Sequence, residues 1–302
     1  MKKLLVLLMA SVISVSIIAC SSPGEVSANE GQSINMEEEI FSAQSEISES
    51  ESEDVSEVVV EEGPKVLVKM TEGNYFCEEY EYDINGNCIK SIQQYPEGTC
   101  EGYIEYQYDE EGRKIEESEY SGDGTWYETQ KWQYNEMGII IKVDVEQLYV
   151  DEEYWREYVY DENSRLVKIV AYTGSDGNYR ETGVCTTYVY DDAGNVLEES
   201  MFDSINEWTT KYTYNELGQN ISMAKYRNSE ELKEYYEYEY DENGRLVKKY
   251  AKYQDSDTFY TYTEYEYDEE GLLIEENVYS MDGELKANES KKYYYEHLSI
   301  EN

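Results

Sequence analysis

One short pattern recurs so regularly that it limits the chain to a repeat architecture. The pairs Tyr82-Asp83, Tyr108-Asp109, Tyr134-Asn135, Tyr160-Asp161, Tyr190-Asp191, Tyr214-Asn215, Tyr240-Asp241 and Tyr267-Asp268 follow one another at steps of 26, 26, 26, 30, 24, 26 and 27 residues. Four positions after each Tyr stands Gly86, Gly112, Gly138, Gly194, Gly218, Gly244 or Gly271, with Ser164 the exception. Two positions before each Tyr there is another aromatic, and seven positions after it an aliphatic such as Ile89 or Leu197. A fixed period of this length means stacked copies of one supersecondary unit.

The pattern reads as strand, turn, strand. Aromatic-x-Tyr places two rings on one face, because side chains alternate with period two. Asp or Asn then opens a turn by bonding the backbone two residues on, and Gly closes it where φ must be positive. If Asp through Gly form a four-residue loop, the aromatic at −2 faces the aliphatic at +7 across the hairpin, a favourable pairing. A second, looser turn closes each unit, as in S-G-D-G and S-M-D-G. Val66-Leu67-Val68 and Tyr293-Tyr294-Tyr295 look like half-units capping the two ends. The sum is an all-β domain of some 18 antiparallel strands over residues 65–302, expected to coil into a single-layer sheet, open barrel or superhelix.

The motif Y-x-Y-D-x-x-G-[RN]-[LIV], cleanest in Tyr238 to Val247, resembles the YD repeat of the RHS family. That family includes bacterial surface and toxin-shell proteins and related animal adhesion receptors. The resemblance covers roughly Lys65 to Tyr295. It implies a strand-turn-strand spiral and an association with extracellular carbohydrate or with enclosing a toxic cargo. The units here are longer than the family's usual ones, and no self-cleaving core or toxin segment follows them. Only the fold and the surface setting are therefore carried over.

Ahead of the repeats, Lys2 and Lys3 precede an apolar run that ends in Ile17-Ile18-Ala19-Cys20. This resembles a lipoprotein signal peptide over residues 1–19, with Cys20 as the lipid attachment residue. The other readings are an ordinary secretory signal or a membrane anchor, although the run is short for a span. Residues 20–64 are rich in Ser and acid and hold no Lys or Arg, a composition that cannot offset chain entropy and reads as a disordered tether. The expected setting is the bacterial envelope, on the extracytoplasmic side, with the membrane reached through the lipid on Cys20.

Charge and composition narrow the function. With 24 Lys+Arg against 68 Asp+Glu, the chain offers no basic surface for nucleic acid. His297 is the single histidine, which excludes sites needing two imidazoles. The D-x-N-G turns lack the ligand pattern of an EF-hand, so no cofactor is expected beyond weak Ca²⁺ binding by the acidic surface. Cys77, Cys88, Cys100 and Cys185 fit either two disulfides or buried free thiols. The acids recur with the repeat as a solvated face would, and no catalytic residues are assigned. Tyr occurs 35 times and Phe 4 times. Trp126, Tyr127, Trp155, Trp208, Tyr236 and Tyr262 lie outside the two recurring aromatic positions, and they are the candidates for a ring-lined surface that binds an extracellular glycan or protein. The plainer reading is that such rings seal a thin sheet, leaving a structural or adhesive spacer with no discrete ligand.

Overall fold

The structure, a computed structural model, describes residues 62–95, 97–254 and 256–299. The signal peptide, Cys20 and most of the expected tether lie outside the described residues. The strands are β1 (Glu62–Glu72), β2 (Phe76–Tyr82), β3 (Cys88–Gln94), β4 (Cys100–Tyr108), β5 (Lys114–Ser121), β6 (Trp126–Tyr134), β7 (Ile140–Gln147), β8 (Glu153–Tyr160) and β9 (Leu166–Ser175). They continue as β10 (Asn178–Tyr190), β11 (Val196–Asp203), β12 (Glu207–Tyr214), β13 (Asn220–Arg227), β14 (Glu231–Tyr240), β15 (Leu246–Tyr253), β16 (Thr261–Tyr267), β17 (Leu273–Ser280) and β18 (Lys291–Ser299). Each pairs antiparallel with its neighbours in sequence, and β1 pairs with β18 through Leu67–Tyr295 and Met70–Tyr293. The sheet is therefore a closed up-and-down barrel, not an open coil or superhelix. The two half-units do not cap separate edges; they pair with each other, which removes both edges. Eighteen strands at 4.7–4.9 Å spacing and a usual tilt give a circular barrel roughly 35 Å across at Cα.

β1 begins at Glu62, ahead of the boundary expected at Lys65. Pro64 falls in a register irregularity between Glu62 and Lys65, where its missing N–H costs no ladder bond.

The repeat turn differs from the expected four-residue loop. The Asp83 N–H donates to Asn87 O at 2.9 Å and the Gly86 N–H to Asp83 O at 3.1 Å, which makes a three-residue loop of Ile84, Asn85 and Gly86. The seven repeat glycines take φ of 75–92°, and Ser164 takes φ 60° in their place. A β-bulge follows in every repeat hairpin: Tyr82 faces Cys88, but Glu81 faces Lys90. The residue at +7 is thus the extra one and turns outward, leaving Ile89 at 38% and Ile141 at 41% exposure. The aromatic at −2 faces +9 instead, as in Tyr80–Ser91, Trp132–Val143 and Tyr238–Lys249.

The bulge explains why the repeat needs Tyr and not Phe. A bulge disrupts the ladder and frees a carbonyl, and a phenol from the next unit bonds the carbonyl of the residue at +6. Tyr108 donates to Cys88 O at 2.8 Å, Tyr134 to Lys114 O at 2.6 Å and Tyr240 to Asn220 O at 2.8 Å. The same contact recurs from Tyr82, Tyr160, Tyr190, Tyr214, Tyr267 and Tyr295, and so passes all round the barrel. Each such bond contributes about 1 kcal/mol, repeated nine times in one ring of the wall.

Candidate functional site

The recurring rings lie on the concave face. Burial pushes the phenols of Tyr106, Tyr108 and Tyr238 up to about 12 and raises those of Tyr188, Tyr212 and Tyr265 as well. The aromatics at −2, from Tyr80 to Tyr293, alternate round the lumen with the residues they face, such as Glu117, Val143, Glu199, Lys249 and Glu276. Several of these lumenal acids are held by the chain itself: Lys114 Nζ reaches Glu117 at 2.6 Å, and the Tyr293 hydroxyl donates to Glu276 at 2.5 Å.

The outer wall is charged at mid-height. Glu79, Glu105, Lys131, Glu157, Lys211, Glu237 and Glu264 occupy the equivalent outward position three before seven of the eight repeat Tyr, with Thr187 the exception. Many are paired across strands, as Lys69–Glu79 at 3.0 Å, Lys90–Glu105 at 3.0 Å and Lys248–Glu264 at 2.8 Å. A bilayer-spanning barrel needs an apolar outer band about 25 Å tall, and a lysine at its midplane costs about 2–4 kcal/mol. This wall instead carries paired charges at that height, with exposed aliphatics such as Ile89, Ile141, Leu197 and Ile221 nearer the YD turns.

The two ends of the barrel differ in chemistry. At the end carrying the YD turns, the side chains are committed to the turns. The Asp161 carboxylate accepts the backbone N–H groups of Asn163 and Arg165, each at 2.9 Å, and the Arg165 Nε at 2.7 Å. The Arg165 backbone bond is the main cause that holds the Asp161 carboxyl below the usual range, and Asp241 with Arg245 repeats it. Both β1 and β18 have their chain ends at this rim, where a ninth turn would otherwise stand.

At the opposite rim the turns differ in length and sequence, with Ser and Asp side chains holding those at Ser121 and Ser280, and this rim holds most of the exposed rings. Among the described residues the exposed tyrosines are Tyr75, Tyr95, Tyr127, Tyr149, Tyr179, Tyr253, Tyr260 and Tyr294, and all but Tyr294 lie at this far rim. Tyr149 is 94% exposed and Tyr260 62%. Six of the seven non-glycine residues with positive φ also lie here: Tyr149, Asp176, Ser204, Asn228, Ser229 and Gln254. An exposed aromatic held at φ 66°, as Tyr149 is, costs about 1–2 kcal/mol relative to an ordinary backbone, and such strain collects at functional sites. Exposed acids Glu97, Asp151, Asp176, Glu230 and Asp257 stand between the rings.

The six candidate rings do not converge. Trp126 packs on the outer face with its Nε1–H on Thr129 Oγ1 at 2.7 Å, beside the exposed Tyr127 at the far rim. Trp155 is on the outer wall, stacked on Tyr172 at 5.4 Å with Tyr179 edge-on at 4.9 Å. Tyr262 stacks on Tyr279 at 5.1 Å, also outside. Trp208 and Tyr236 face the lumen, under Lys225 and beside Glu234 respectively. Of the six, only Tyr127 belongs to the exposed set at the rim. Tyr75, Tyr95, Tyr149, Tyr179 and Tyr253 carry no repeat signal, and their place in or beside the second turns is the only clue to them. The four cysteines are free thiols, and burial pushes Cys88 up to about 11. Among the described residues no group of three or more His, Cys, Asp or Glu side chains could hold a metal ion.

No family model matches the chain, and no curated protein matches it. It is similar to two solved structures containing TcdB2-TccC3. One, TcdB2-TccC3-TEV, is 15% identical over 68% of this chain, at a TM-score of 0.23. The other, without the hypervariable C-terminal region, is 12% identical over 74%, at a TM-score of 0.30. The chain spans only 14% and 16% of those two proteins. A porin-like protein from Bacteroides uniformis is 12% identical over 76% of this chain and 96% of its own, at a TM-score of 0.41. These overlaps assign no family.

Proposed function

We propose that the protein is a lipid-anchored, extracytoplasmic, non-catalytic binding module that offers its far rim to glycans. The observation that carries this reading is the separation of the two rims. An anchor on the amino-terminal side joins the barrel at the YD rim, where β1 begins, and the exposed rings crowd the other. Exposed tyrosines offer flat apolar faces to sugar rings, and the acids between them accept hydroxyl hydrogen bonds. The likeness of the repeat to RHS proteins supports the surface setting, and Cys20→Ser is expected to abolish lipid labelling of the expressed chain.

The spacer reading keeps one specific support, the scatter of Trp126, Trp155, Trp208, Tyr236 and Tyr262 over both faces of the wall. A glycan array probed with the purified protein separates the two. Tyr149→Ala with Tyr260→Ala should weaken array binding at least tenfold, equivalent to about 1.4 kcal/mol. The melting temperature should not change, because both rings stand in solvent. No array signal, or equal binding by the double variant, returns the protein to the spacer class.

A further inference from the structure

The chain has six arginines, and their partners set one of them apart. Arg113, Arg165 and Arg245 each bond the repeat Asp of their own turn, and Arg180 reaches Glu152 at 3.3 Å. Arg227 donates to Asn206 Oδ1 and lies over Trp208. Arg156 and Arg227 both face the lumen, but Arg227 has Nε and Nη2 held by Asn206, whereas Arg156 keeps a buried Nε without a partner. Among the described residues Arg156 contacts no carboxylate, in a chain where acids outnumber bases 68 to 24.

The wall around Arg156 keeps carboxylates away. Its cross-strand neighbours are Val143 on β7 and Ala171 on β9, exposed by only 0% and 2%. Tyr154 and Tyr158 flank it on β8, since residues two apart share a face. Arg156 Nη2 donates to Gln130 Oε1 at 2.5 Å, and Gln130 Nε2 donates onward to Glu128 at 2.7 Å. Glu128, the nearest acid in this chain of contacts, is also bonded by Gln147 Nε2 at 2.6 Å. Gln130 thus fixes one side of the guanidinium and holds the acid one residue away. Nε is buried without a partner, whereas Nη1 is neither buried nor bonded by the protein. Gln130 holds the group through Nη2, at a strand position that faces the lumen, and Nη1 is left without a protein partner among the described residues.

We propose that Arg156 is a lumenal receptor for the carboxylate of a small organic acid, with Tyr154 and Tyr158 flanking the ligand's body. A guanidinium fork matches a planar carboxylate with two parallel N–H bonds, a geometry an ammonium lacks. The site lies on the lumenal wall and shares no residue with the rim. Its environment gives it an unusual salt response. Residues 65–302 carry 55 acids and 22 bases, so the field of the chain repels an anion that the site itself attracts. Screening removes the long-range repulsion while the contact pair is screened much less, and moderate salt should strengthen binding.

The test uses the full chain with D-glucuronate, and with D-glucose as the same ring lacking the carboxylate. Phenylglyoxal labelling read by mass spectrometry should show glucuronate protecting Arg156 at least fivefold while Arg180 stays reactive, and glucose protecting neither. Protection should grow between 20 and 150 mM NaCl, on the order of the change in screening length. By calorimetry, Arg156→Gln should lose glucuronate binding, and Arg156→Lys should lose at least fivefold of it despite keeping the charge. The wild-type protection assay decides the matter should either variant fail to fold. The rim double variant should bind glucuronate unchanged, which separates this site from the rim reading. Equal protection of Arg156 by glucose, no protection at 20 mM glucuronate, or equally tight binding of inorganic phosphate would overturn the assignment.

Discussion

A chain ending at Ser290, lacking β18, should lose its cooperative unfolding transition and associate into oligomers. In the closed barrel β18 is the seam. It pairs with β1 from Glu62–Ser299 to Glu72–Lys291 and with β17 through Glu275–Lys292 and Glu276–Lys291. Its removal also deletes the Tyr295 bond to Leu273 O, the Tyr293 bond to Glu276 and the His297 contact with Gly63 O. Two long edges, β1 and β17, would then be open at once, and unpaired edges recruit other chains. Only a large part of the usual ~5–15 kcal/mol of domain stability would account for such a loss. An open superhelix would respond differently. There the last half-unit contributes one nearest-neighbour increment, and its loss leaves the remaining repeats folded and monomeric. Urea unfolding with light scattering on the truncated chain distinguishes the two, and a monomer with an unchanged midpoint would rule out closure.

Strand positions and the strand number were legible because the Tyr-Asp period marks one strand end in every unit. Closure was not legible. It depends on pairing between Leu67 and Tyr295, which no local pattern announces. The turn was misread for a physical reason: an aliphatic at +7 looks like a core residue, but the bulge makes it the extra one and turns Ile89 and Ile141 outward. The excess of Tyr over Phe was visible as composition, yet its cause, a phenol on the carbonyl at each bulge, needs the neighbouring unit in place. The candidate site was legible only in fragments. Trp126 and Tyr127 marked one of the second turns, whereas Tyr149 and Tyr260 reach the same rim from turns of unequal length that share no spacing.

Gly122→Ala should be among the most damaging single substitutions in the barrel, although it adds one methyl group to a turn at the rim. Gly122 does not need a left-handed backbone; its constraint is contact. A Cβ there would lie 2.0 Å from Cys100 O and 2.8 Å from Cys100 C, both backbone atoms, while the Gly122 N–H donates to Glu101 O at 2.8 Å. Backbone cannot rotate away as a side chain can, so β4 must separate from the turn and give up that bond. The expected cost is about 3 kcal/mol or more, at the high end for a point mutation. In a domain of this size that lowers the melting temperature by roughly 6–12 °C. Gly194→Ala supplies the contrast. Its Cβ would meet nothing within 4 Å, but φ is 92°, so its cost is conformational alone, about 1–2 kcal/mol. Calorimetric melting of the two variants should therefore place Gly122→Ala well below Gly194→Ala. The reverse order would mean that β4 and the β5–β6 turn do not approach as closely as the wall requires, and that turn conformation rather than strand contact sets the stability of the rim.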